Sequence, residues 1–138
     1  MKKPDFNLPN DMNKIYLDEK ETLMLSELQC PHCKQVMIHP NLFKAWIKLR
    51  IRVGQPIIIN SGYRCWDYHV ALYKRLYDNW QDKITKQSYH LKGMALDLKV
   101  PKGLTISNFI HLAKWAGFTY TYIIDNDPLD GDIHADVR

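Results

Sequence analysis

The segment Ser88-Tyr89-His90-Leu91-Lys92-Gly93-Met94-Ala95-Leu96-Asp97 sets an imidazole and a carboxylate on either side of a glycine. Gly93 permits a sharp reversal and small Ala95 permits close packing, so the chain can return Asp97 toward His90. The pair could then bind one Zn²⁺ through bonds of about 2.0 to 2.2 Å. Two ligands do not make a site, and a third candidate comes from the end of the chain, Asp132-Ile133-His134-Ala135-Asp136-Val137-Arg138. In a strand this run alternates, putting Asp132, His134 and Asp136 on one face. Three ionisable groups turned unpaired into a core would cost several kcal/mol each, so that face either meets solvent or serves a metal. Spacing alone leaves both readings open, because an exposed hairpin face explains the same alternation.

The other candidate residues divide more simply. His39, before Pro40, and His111, on a helix face, have ordinary structural explanations. His69, one turn past Cys65-Trp66, either lines a cleft or packs within its helix. Cys30-Pro31-His32-Cys33 reads as a tight knuckle, and with the separate Cys65 it leaves three states open. These are reduced thiols, a labile disulfide, or a second metal site completed by Cys65, His32 or His39. A redox protein built on Cys30 and Cys33 would need a βαβ context that the pattern lacks.

Ser61-Gly62-Tyr63-Arg64, then Ser88-x-His90-x-x-Gly93-x-Ala95-x-Asp97, then His134-x-Asp136 occur in that order. In this they resemble the zinc D-alanyl-D-alanine carboxypeptidase family, over about residues 25–138. The resemblance implies an α+β fold, an antiparallel sheet carrying a zinc site with helices packed beside it, in a superfamily shared with lysostaphin-type peptidases and hedgehog domains. It implies His90, Asp97 and His134 as zinc ligands, with a fourth position for a water that attacks an amide carbonyl. Arg64 would hold a substrate carboxylate or the developing oxyanion, its alternative being a loop ion pair. Tyr63 would join the substrate side, and Ser88 would order the ligand loop or touch substrate.

For the general base, several relatives place an acidic residue a few positions before the last ligand, whereas residue 131 here is glycine. Asp132 is the first choice because alternation points it to the ligand side, and Asp130 is the second; either could instead cap a turn. Asp136 is suited to orient His134 by accepting its other N–H. His69, where many relatives carry asparagine, and the long charged stretch from Tyr77 to Gln87 depart from the pattern and bear on substrate choice. The implied activity is hydrolysis of an amide beside a D-amino acid in a peptidoglycan stem peptide, by a carboxypeptidase or an endopeptidase such as a phage endolysin, acting as a monomer. The alternative is a catalytically silent cell-wall binding or structural module that keeps zinc for folding.

Hydrophobic period and turn residues give the elements that must position these groups. Residues 1–21 read as a polar arm or loop, and 22–138 as a single domain. Thr22 to Leu28 suits a short helical turn. A helix capped by Asn41 buries Leu42, Trp46 and Leu49, exposes Lys44, Lys48, Arg50 and Arg52, and stops at Gly54. Ile57 to Asn60 suits a buried strand, Trp66 to Trp80 a second helix, Met94 to Val100 a strand, and Ser107 onward a third helix ending at Gly117. Thr119 to Ile124 and Ile133 to Val137 suit a hairpin or sheet edge.

Composition limits the alternatives. With 138 residues, 46% hydrophobic, 25% charged and 12% aromatic, the chain suits one globular domain and is not disordered. Its apolar runs fall far short of the roughly 20 residues that cross a bilayer. The net charge of +4 is mixed along the chain, which argues against a nucleic-acid footprint. No apolar stretch follows MKKPDFNLPND, so a secretory signal is not expected, and three cysteines suggest a reducing compartment. Synthesis in the cytoplasm, with action at the cell wall if phage-encoded, fits these features.

Overall fold

The computed structural model describes residues 14–16 and 22–138. Strands β1 (Lys14–Tyr16) and β2 (Thr22–Met24) pair as an antiparallel ribbon. A 3₁₀ turn (Leu25–Leu28), helix α1 (Pro40–Val53), strand β3 (Ile59–Ser61), helices α2 (Trp66–Leu76) and α3 (Trp80–Lys83) and a second 3₁₀ turn (Tyr89–Lys92) follow. The chain ends with β4 (Ala95–Lys99), α4 (Ile106–Ala116), β5 (Tyr120–Asp125) and β6 (Asp132–Asp136). The expected α+β class is borne out: β3-β4-β6-β5 form a four-stranded sheet whose neighbours are all antiparallel, accompanied by four α-helices among the described residues.

The register gives the sheet two unlike faces. Leu96 pairs with Ala135 and Leu98 with Ile133, and all four are essentially fully buried. They pack in one core with Trp46 and Leu49 of α1 and Phe109 and Ala113 of α4. Full burial of a large aliphatic or aromatic side chain is worth about 1.5 to 3 kcal/mol, so this side holds the sheet in place. The period of two turns the alternate residues the other way. Asp97 lies opposite His134, and Tyr122 of β5 flanks His134 on the other side.

Several local expectations are corrected. His39, not Asn41, caps α1: its Nδ1 accepts the Asn41 N–H at 3.1 Å, and Pro40 takes the first helical position, where its missing N–H costs nothing. Arg50 is buried rather than exposed, because it stands one turn beyond Trp46 and lies over that ring. Thr105 rather than Ser107 caps α4, accepting the Asn108 N–H at 3.1 Å, and Gly117 ends that helix at φ 123°. The long second helix stops at Leu76, where Tyr77 turns extended, and Trp80–Lys83 forms a separate short helix. Thr22–Met24 is a strand, with 3₁₀ geometry only from Leu25. The strand expected at 57–60 spans Ile59–Ser61, with Ile57 buried before it. The C-terminal hairpin forms, but β6 is an inner strand, with β4 on its other side. Of the expected N-terminal arm, 14–16 form β1 and the rest lies outside the described residues. No described helix is long and apolar enough to cross a membrane.

Gly93 joins the site to the core. At φ 67° it closes the second 3₁₀ turn, and its carbonyl accepts the His39 N–H at 2.8 Å. A Cβ there would lie 2.4 Å from the Met37 carbonyl oxygen. Gly93→Ala combines a disfavoured φ with a backbone collision and is expected to lower stability by roughly 2 to 4 kcal/mol. Urea unfolding checks this, and an unchanged midpoint would contradict the close approach.

Candidate metal centre

Three elements bring the proposed ligands together. Ser88 caps the turn before β4, its Oγ accepting the His90 N–H at 3.3 Å, which sets the His90 ring over the sheet. The Gly93 reversal then delivers Asp97 beneath it, and the β4–β6 register supplies His134. His90 Nε2 lies 3.1 Å and His134 Nδ1 3.0 Å from the same Asp97 oxygen, Oδ1. One potential ligand atom from each of the three residues falls within 4.8 Å of the others. Donors on a tetrahedral zinc with bonds of 2.0 to 2.1 Å stand about 3.3 Å apart, so the spacing needs little change to fit.

The remaining ring nitrogens decide the chemistry. His90 Nδ1 sits 2.8 Å from the Gly62 carbonyl, which can only accept, so this nitrogen carries a proton. His134 Nε2 lies 2.7 Å from Asp136 Oδ2 and donates to it, while Arg138 grips the same carboxylate through Nε at 2.9 Å and Nη2 at 2.7 Å. In their neutral forms both rings therefore aim a lone pair at a carboxylate oxygen. Three acceptors converge on one point, and only a cation there, protons on the rings or a metal ion, reconciles them. Burial opposes the charge on Asp97, but hydrogen bonds from His134 and His90 and the nearby Arg64 outweigh it, holding its pKa well below the usual carboxylate range. Burial likewise works against a charged His134, and its bonds to Asp97 and Asp136 override this and raise its pKa. Two imidazoles and a carboxylate, each oriented by a second partner, form a donor set that fits Zn²⁺.

Arg64 reaches this cluster from the loop before α2. Its Nη2 donates to Asp97 Oδ2 at 3.1 Å and its Nε to Ser61 Oγ at 2.8 Å, leaving Asp97 Oδ1 for the histidines. Behind it, fully buried His69 donates from Nε2 to the Thr85 carbonyl at 3.0 Å, and its Nδ1 faces Arg64 Nη1 at 3.5 Å. With no exposed surface this ring is the packed alternative and does not line the cavity at the cluster; burial, with the charge of Arg64, lowers its pKa despite its bond to Thr85.

The cluster opens on a cavity of about 670 Å³. Leu72, Tyr73, Leu76 and Tyr77 form one wall and Tyr122, Ile123 and Ile124 another, while Arg64, Ser88 and Arg138 add polar groups. Helix α2 thus contributes Leu72, Tyr73 and Leu76 to this cavity.

Other sequence-chosen residues lie elsewhere. Asp132 shares the His134 face, but its Oδ1 accepts the Asn60 Nδ2–H at 2.8 Å, and it does not line the cavity. Asp130 is ion-paired with Lys99. Tyr63 does not line the cavity; burial and then Cys33, Cys65 and Cys30 raise its pKa. The sequence reading missed the Gly62 carbonyl, which leaves no side-chain signature, and Tyr122, whose ring stacks on His134 at 4.5 Å and 13°. Tyr122 could have been found by extending the alternation of β6 across the hairpin.

Comparison with protein families, with curated proteins and with solved structures finds no match. Asp136→Asn keeps the shape but loses the charge that orients His134, so zinc affinity should fall by about 10- to 100-fold. Chelator competition, with circular dichroism as the fold control, measures it; unchanged affinity would mean that Asp136 orients nothing.

Proposed function

We propose that this protein is a zinc-dependent peptidase that hydrolyses an amide bond beside a D-amino acid in peptidoglycan stem peptides. The observation that carries this reading is the convergence of His90 Nε2, Asp97 Oδ1 and His134 Nδ1 at a cavity with apolar walls and an arginine beside the ligands. It is supported by the order of Ser61-Gly62-Tyr63-Arg64, the His90/Asp97 segment and His134-x-Asp136. When bound, zinc supplies a Lewis acid that polarises a carbonyl and acidifies water.

The chain's own residues do the rest. Arg64 has five N–H donors, and those facing Ser61, Asp97 and His69 leave two for a substrate carboxylate or an amide oxygen as it gains charge. The walls formed by α2 and β5 offer exposed apolar surface to the small side chains of a peptide. Asp132 is assigned the proton transfer, being on the ligand face two residues from His134; to act it must exchange its Asn60 bond for one to water or substrate.

One observation favours a second reading, a catalytically silent zinc-containing module that binds the cell wall. Among the described residues lining the cavity, Asp97 is the only carboxylate, so no separate base stands there.

Zinc-loaded protein incubated with defined muropeptides, products read by mass spectrometry, separates the two. The peptidase should release D-alanine or split a cross-link, and His134→Ala should abolish both metal and turnover. Asp132→Asn should keep zinc and lose about 10²- to 10⁴-fold in rate. Near-native rates in that variant would move the base elsewhere. A zinc-loaded wild type that binds muropeptides and cleaves none would establish the binding module.

A further inference from the structure

One residue beyond Arg64 the loop reaches Cys65, and Cys65 meets the knuckle Cys30-Pro31-His32-Cys33, which the proposed reaction does not use. We propose that Cys30, Cys33 and Cys65 form a second metal site, three thiolates holding a thiophilic divalent ion such as Zn²⁺, with solvent in the fourth position. One sulfur from each lies within 4.8 Å of the others. Cys30 Sγ and Cys65 Sγ are 3.7 Å apart, matching the roughly 3.8 Å edge of a tetrahedral site with Zn–S bonds near 2.3 Å.

Backbone N–H groups converge on Cys30 Sγ. Cys30 Sγ accepts the Cys65 N–H at 3.5 Å, along with backbone N–H groups of Cys33 and His32. The knuckle is closed by Cys30 N–H to the Gln35 carbonyl at 2.8 Å and Lys34 N–H to the Cys30 carbonyl at 2.9 Å. This closure places Lys34 at φ 62°, a left-handed conformation unusual for a residue with a side chain. A disulfide would use two sulfurs and leave the third without a role, whereas a metal ion uses all three. Such an ion would pin the loop whose Ser61, Gly62 and Arg64 support the His90 site.

Metal analysis of reduced protein tests this independently of the peptidase reading. After loading with Zn²⁺, His90→Ala/His134→Ala protein should retain one ion per chain and lose it when Cys33→Ser is added. Loaded instead with Co²⁺, the double variant should show a thiolate-to-cobalt charge-transfer band that Cys33→Ser removes. If the double variant does not fold, alkylation of wild type replaces it: Zn²⁺ should protect Cys33 and Cys65 from iodoacetamide, and a chelator should restore labelling. The proposal is overturned if all three thiols react at the same rate with and without Zn²⁺, or if folded double variant binds no metal. A Cys30–Cys65 disulfide recovered from protein purified with reductant and Zn²⁺ would overturn it as well. Failure of the His90 site to bind metal would leave these outcomes unaffected.

Discussion

The carboxylate of Asp97 is the point on which the arrangement turns. Its side chain is only 14% exposed, and a carboxylate at that depth needs positive charge close by. Arg64 supplies part of it at Oδ2, and Oδ1 receives the two histidine nitrogens. Because each ring is tethered at its other nitrogen, neither can turn away to relieve the crowding of acceptors. Positive charge between Asp97, His90 and His134 can come from protons on the rings, which the raised pKa of His134 favours, or from a cation held by all three groups.

The same strand pairing that builds this cluster also builds the core. In β4 and β6, Leu96, Leu98, Ile133 and Ala135 face α1 and α4, while Asp97, His134 and Asp136 face the other way. A slip of one residue would exchange the two sets, burying carboxylates among aliphatic side chains and exposing the core. Packing on one face therefore protects ligand geometry on the other, and Gly93 extends that protection to His90 by docking the turn against Met37 and His39.

Much of this was legible in the sequence because it depends on local rules. Gly93 signals the reversal, alternation places Asp132, His134 and Asp136 on one face, and Gly54 and Gly117 end helices as their backbone freedom suggests. What was not legible depends on partners distant in the chain. Whether Asp132 is open to the cavity depends on Asn60, and what surrounds Tyr63 depends on where Cys30 and Cys33 arrive. The burial of Arg50 follows from the turn relation to Trp46, but charge alone argued for solvent. The choice of His39 over Asn41 as cap rests on Pro40 already occupying the first helical position.

The loop at 61–65 links these distant parts. Ser61 Oγ holds Arg64, the Gly62 carbonyl holds the His90 ring, Arg64 holds Asp97, and Cys65 begins α2 beside Cys30. Gly62 is packed so closely that a Cβ would lie 3.3 Å from the Leu28 carbonyl oxygen, which fixes the loop against the first 3₁₀ turn. Arg64 is thus held from three sides, by Ser61, by Asp97 and by its own backbone, whose N–H donates to the His90 carbonyl at 3.2 Å. An arginine so restrained has little conformational freedom left to lose.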